Sequence, residues 1–182
     1  MKLFRVLVGL GMLFTAAVSY ATSVKTDYDK DFDFQKLKTF AFKTQNRANT
    51  DPLKADSILD TRIREALRSK LEAEGFQYAP DGNADFLIRY FASQKEKLNV
   101  QDLDYGFPRR WRWGFGPDIW TNYYTVGSMM VDFVDPVNKQ LIWRGMSSQT
   151  ISGLNPSDKQ VARGVKDLIK HYLKDAREKR AG

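Results

Sequence analysis

The stretch Met129-Met130-Val131-Asp132-Phe133-Val134-Asp135-Pro136-Val137-Asn138-Lys139-Gln140-Leu141-Ile142-Trp143 decides how this chain folds. Apolar side chains fall on both parities between Met129 and Val134. That is the pattern of a strand buried on both faces, so it belongs in the centre of a sheet. The extended reading reaches back to Tyr123, which makes this the longest such segment in the chain. Asp135-Pro136-Val137-Asn138 then supplies a turn, with Pro136 presetting φ at the first central position and Asn138 tolerating a positive φ. Gln140 to Thr150 returns alongside, bringing Leu141, Ile142, Trp143 and Met146. The two runs make an antiparallel hairpin.

Working outward from the hairpin, Phe86, Ile88 and Tyr90 alternate with Leu87, Arg89 and Phe91. This is a strand that follows the turn Pro80-Asp81-Gly82-Asn83 and extends toward Val100. Further upstream, Leu59, Ile63, Ala66, Leu67 and Leu71 recur at spacings of three and four, with charged residues around the rest of the surface. The helix they define is amphipathic. A polar loop, Gln45 to Pro52, leads into it, and Asp51 or Asp56 caps it. Gly75 ends it in the left-handed conformation, with Phe76 folding back toward Leu71. Two short strands come first: Val24, Thr26 and Tyr28 alternate with Lys25, Asp27 and Asp29, and Thr39 to Lys43 places Phe40 and Phe42 on one side. Beyond the hairpin, Ser157 and Gln160 stand at capping-box spacing ahead of a stripe of Val161, Val165, Leu168, Ile169 and Tyr172. Lys170, Lys174 and Arg177 lie near the end of that helix, where cations complement its dipole. The order β-β-α-β-β-β-α gives an α+β class: an antiparallel sheet of about five strands with two helices packed on one face.

The amino terminus reads as an export signal. Lys2 and Arg5 precede an uncharged apolar run from Val6 to Val18, and Ser19-Tyr20-Ala21 offers small residues at the cleavage positions. Residues 1–21 are therefore expected to be a signal peptide cleaved after Ala21, leaving 22–182 as a single periplasmic domain with no transmembrane helix. The chain has no cysteine, so neither a lipid anchor at the cleavage point nor a disulfide is expected. The formal charge of +7 falls to about +5 once Lys2 and Arg5 are removed. This mild excess suits contact with anionic envelope surfaces. Nucleic acid is not an expected partner, because no recognition motif for it is visible.

Three stretches carry a family resemblance. They are Tyr28-Asp29 through Leu37-Lys38-Thr39-Phe40-Ala41-Phe42; Leu59-Asp60-Thr61-Arg62-Ile63-Arg64 through Gly75-Phe76; and Val131-Asp132-Phe133-Val134-Asp135-Pro136 through Leu141-Ile142-Trp143-Arg144-Gly145. In order and spacing the chain resembles the bacterial envelope family called domain of unknown function 4136, over nearly all of its mature length. The resemblance implies an exported protein of this fold, often lipidated among its members, and supplies no catalytic residue. Here Ala21-Thr22 stands where a lipidated member has cysteine.

Candidates for chemistry are few. His171, the one histidine, has no cysteine partner, nucleophile elbow or second histidine, and reads as a partly exposed structural residue. Asp27, Asp29, Asp31 and Asp33 alternate, but counting from Asp29 puts Phe34 and Phe40 where a calcium loop needs Gly and Glu. They read as a solvated strand face, with neither metal nor cofactor expected. The anomaly is the run from Tyr105 to Tyr124, where Trp111, Trp113, Phe115 and Trp120 are interleaved with Arg109, Arg110 and Arg112 and broken by glycine and proline. Indole and guanidinium groups are enriched in interface hot spots. The segment could grip a protein groove, stack on glycan or enter a lipid headgroup layer; alternatively its rings cover an open end of the sheet. The expectation is a noncatalytic binding or scaffolding module of the cell envelope whose partner is a protein, glycan or lipid. The alternatives are a hydrolase of envelope glycan or lipid, using acids such as Asp102, Asp104 and Asp118, and a peripheral binder of anionic lipid surfaces.

Overall fold

The computed structural model describes residues 23–43, 53, 56–81, 83–93, 127–148 and 156–181. The chain order is β1 (Val24–Tyr28), β2 (Thr39–Phe42), α1 (Ser57–Ala73), β3 (Gln77–Tyr78), β4 (Phe86–Ser93), β5 (Ser128–Val134), β6 (Leu141–Ser147) and α2 (Asp158–Ala181), with a 3-10 turn at Phe34–Lys36. The α+β class stands. The sheet differs from the expected one in two respects: among the described residues it has six strands, in the order β1-β6-β5-β4-β2-β3, and it is mixed.

Both differences have one cause. β1, β6, β5 and β4 pair antiparallel, but β2 runs parallel to β4 (Phe40 opposite Phe86) and to β3 (Thr39 opposite Gln77). A helix between two strands carries the chain back along the sheet, so the strand after it points the same way as the strand before it. α1 does this between β2 and β4. The two-residue β3, too short to leave a period in the sequence, pairs on the return.

Local chemistry fixes the helix ends. The Asp56 carboxylate accepts the Leu59 N–H at 2.9 Å, so Asp56 is the cap of α1. At the other end Phe76 N–H donates to Leu71 O and Gly75 N–H to Glu72 O, with Gly75 at φ 94°. That pair of bonds is a Schellman stop. At the start of α2 the Ser157 N–H donates to Gln160 Oε1 at 2.9 Å, and the Gln160 N–H donates back to Ser157 Oγ at 3.4 Å. The hairpin turn departs from the reading in one detail, since the positive φ (56°) falls on Lys139. Asn138 instead donates through Nδ2 to Asp135, whose carboxylate also accepts the N–H groups of Val137 and Asn138.

The core fills the space between one sheet face and both helices. Phe86, Ile88 and Tyr90 from β4 and Met129, Val131 and Phe133 from β5 meet Ile63 and Leu67 of α1 and Val165 and Leu168 of α2. The Phe133 ring lies 4.6 Å from that of Phe86, 4.7 Å from Tyr172 and 5.0 Å from Trp143. Trp143 folds over Gly145, where a Cβ would stand 2.2 Å from the indole Cη2 and 2.8 Å from Leu168.

Candidate functional site

The register of the central strands defines one end of the molecule. Ser93 closes β4 directly opposite Ser128, the first residue of β5. Neighbouring antiparallel strands in such register are ordinarily joined by about 2–5 residues. Here residues 94–127 intervene. β6 ends at this same place, with Ser147 opposite both Met129 and Val24, and Ser148 N–H donates to Ser23 O at 3.0 Å. β2 points the same way as β4, but its last residue, Phe42, stands opposite Ile88, short of this end. Arg62, in the second turn of α1, donates to Pro156 O at 3.1 Å and pairs with Asp158 at 2.7 Å, which brings the start of α2 alongside. The described flanks of 1–22, 94–126 and 149–155 thus gather at one end of the sheet. The binding candidates Arg109, Arg110, Trp111, Arg112, Trp113, Phe115 and Trp120 lie outside the described residues, as do Asp102, Asp104 and Asp118.

On the sheet face turned away from the helices, a row of alternating charge crosses four strands: Arg89 of β4 opposite Asp132 of β5, Asp132 opposite Arg144 of β6, and Arg144 opposite Asp27 of β1. Arg144 donates to both oxygens of Asp132, Nε–H at 2.6 Å and Nη2–H at 2.7 Å, in a bidentate pair. Neither side chain of this pair is more than 1% exposed. A guanidinium and a carboxylate withdrawn from water together are held by mutual attraction in a poorly screened setting. Burial raises the Asp27 carboxyl above its ordinary range, and the Tyr28 N–H and Arg144 offset that only in part. The row holds no hydroxyl, thiol or imidazole.

Other polar groups lock the helices to the sheet. Trp143 Nε1–H donates to Asp175 of α2 at 2.9 Å, and the buried Tyr90 hydroxyl donates to Asp60 of α1 at 2.9 Å. Burial first, and the Asp60 charge second, raise the Tyr90 phenol; burial also pushes up Tyr172. Both hydroxyls therefore stay protonated and unsuited to act as bases.

The remaining candidates resolve individually. His171 is half-buried on α2, and its Nδ1 lies 2.8 Å from Asp167 O. A carbonyl only accepts, so Nδ1 carries the proton. The four aspartates do not share a strand face, because β1 stops at Tyr28. Asp27 joins the charged row, Asp29 accepts the Asp31 N–H, and Asp33 caps the 3-10 turn by accepting the Gln35 N–H. Among the described residues no group of three or more His, Cys, Asp or Glu could hold a metal ion. Sequence reasoning missed the Asp132–Arg144 pair, although a signal was present. Each is a charged residue inside an otherwise apolar strand, and the two are nearly equidistant from the turn they flank.

No curated protein matches the chain in sequence. A structure of a DUF4136 family protein from Bacteroides thetaiotaomicron superposes with a TM-score of 0.50 at 18% identity, covering 85% of this chain and 95% of that one. A PDZ domain protein from Parabacteroides distasonis gives 0.51 at 18% identity over 82% of this chain, which spans 35% of that protein's length. A PelC dodecamer from Paraburkholderia phytofirmans gives 0.43 at 12% identity, covering 82% of this chain and 95% of that one. At these identities the likeness concerns the fold alone. The family model described as domain of unknown function (DUF4136) matches residues 24–175, from the first strand to the last helix. With that match across nearly every described element, the chain belongs to the DUF4136 family.

Proposed function

We propose that this protein is a noncatalytic binding module of the bacterial cell envelope, exported by residues 1–21, and that it engages an envelope protein, glycan or lipid through the aromatic and arginine-rich run 105–124. One observation carries the reading: Ser93 and Ser128 are paired neighbours, yet residues 94–127 stand between them. A hairpin needs no such length, and long connections on a rigid scaffold are where binding residues concentrate. The run places four tryptophan or phenylalanine rings and three arginines within twelve positions, Arg109 to Trp120. These are the side chains that dominate interface energetics. Among the described residues the buried Asp132–Arg144 pair joins neighbouring strands and Asp175 joins α2 to the sheet, which are structural roles.

Replacing Trp111 and Trp113 together by alanine tests the reading. The expected result is an unchanged melting temperature with association to envelope fractions weakened tenfold or more. A large fall in melting temperature with unchanged association would instead assign the rings to covering the sheet. Export is tested separately by mass spectrometry of the native protein, which should begin at Thr22; recovery of residues 1–21 on cytosolic protein would refute it.

A further inference from the structure

The outer side of α2 carries a row of one sign. Lys159, Arg163, Lys166, Lys170, Lys174 and Arg177 follow one another at steps of three and four, all exposed, on the side opposite the buried Val161, Val165, Leu168 and Tyr172. At 1.5 Å per residue the row is about 27 Å long. Among the described residues only Lys174 has a carboxylate partner, Glu178 at 3.4 Å. The other acids of the helix do not neutralise the row: Asp158 is paired with Arg62, Asp175 with the Trp143 indole, and among the described residues no ion pair joins the Asp167 carboxylate to a cation of the row.

α1 shows the ordinary solution in the same molecule. Two of its cations are matched at i,i+4, Arg68 with Glu72 at 2.9 Å and Lys70 with Glu74. Lys159–Arg163, Lys166–Lys170 and Lys170–Lys174 are like-charge pairs at that same spacing, which destabilise a helix. The helix dipole compensates cations only in the last turn, so it does not account for Lys159, Arg163 or Lys166. The lower part of the row also borders a groove of about 620 Å³ whose opposite wall carries Lys70 of α1. Both carboxylates in that groove, Glu74 and Glu178, are already tied to lysines, leaving an excess of positive charge.

We infer that this face is a docking surface for a lipid bilayer bearing anionic phosphate headgroups, with α2 lying along the membrane plane. A single phosphate would engage one or two of these side chains. A row of about 27 Å on the outside of the domain is matched by a surface that presents many charges at once. Leu173, in the groove wall, offers apolar contact between the cations.

The test is co-sedimentation of the purified protein with vesicles of phosphatidylcholine alone and of phosphatidylcholine mixed with phosphatidylglycerol. Binding to the mixed vesicles and not to the neutral ones is expected, falling steeply as salt rises. Each cation near an anionic surface contributes roughly fivefold, so Lys166→Gln with Lys170→Gln should weaken binding more than tenfold. Lys36→Gln with Lys38→Gln, which removes the same charge from outside the row, should change it little. Lys170→Glu separates binding from folding: it sets a carboxylate four residues from both Lys166 and Lys174, so the melting temperature should hold or rise while vesicle binding falls. Equal binding to neutral vesicles, equal loss in the two double variants, or no binding to mixed vesicles overturns the inference. Binding of tripolyphosphate in place of vesicles, with the same dependence on Lys166 and Lys170, would overturn it in favour of a soluble polyanion.

Discussion

On the helix side of the sheet Phe133 meets Phe86, Tyr172 and Trp143 within 5.0 Å, and closure is by aromatic packing. One residue away along β5, on the other side, Asp132 is just as buried and closes its face by a bidentate ion pair with Arg144. The same two strands therefore present two interiors of opposite chemistry. Apolar packing degrades gradually as atoms are removed, because neighbours relax into part of the space. An ion pair out of water does not, because loss of one partner leaves the other charge with no solvent to replace it. Burial alone does not report how fragile a face is.

The largest expected effect comes from Arg144→Ala, which should cost about 3–5 kcal/mol in urea unfolding by stranding Asp132. Pairing it with Asp132→Leu as Arg144→Met should recover most or all of that loss, and a double variant as unstable as the single one would break the comparison. On the aromatic face Gly145→Ala should cost about 1–3 kcal/mol, because its methyl overlaps the Trp143 ring and the neighbours must move. The same measurement on both variants ranks the faces directly. The smallest effect is a pH dependence. Asp27 is held above its ordinary value by burial, so its protonated form is the one the fold favours. Its contribution is complete below the unfolded carboxylate value of about 3.8 and is lost as pH rises through the raised folded value. Asp27→Asn, which cannot ionise, should therefore be more stable than the parent at neutral pH and indistinguishable from it in acid.

Much of this architecture is legible in the residues. The stripe Leu59, Ile63, Leu67 and Leu71 and the stop at Gly75-Phe76 are local patterns, and the helix they define forms with those ends. The hairpin is local as well, though its positive φ falls on Lys139, while the Asn138 side chain bonds Asp135. Pairings across a long connection leave no local mark. The parallel contact of β2 with β4 depends on where α1 delivers the chain, and β3 consists of Gln77 and Tyr78 alone. The charged row was hidden for the same reason: Arg89 meets Asp132, and Arg144 meets Asp27, only once four strands lie side by side. The run at 105–124 stands out by composition, which names the side chains without placing them.

Among the described residues β1 is the first strand and an outermost one in the sheet, and it pairs with β6 alone, Val24 opposite Ser147. A polypeptide emerging amino terminus first must hold its opening strand unpaired until more than a hundred further residues have appeared. Contacts so distant in sequence form slowly, because the loop must be closed before they bring any return. Val24–Tyr28 is therefore among the last elements to be seated, and whatever precedes it stays tethered to an open chain through most of synthesis.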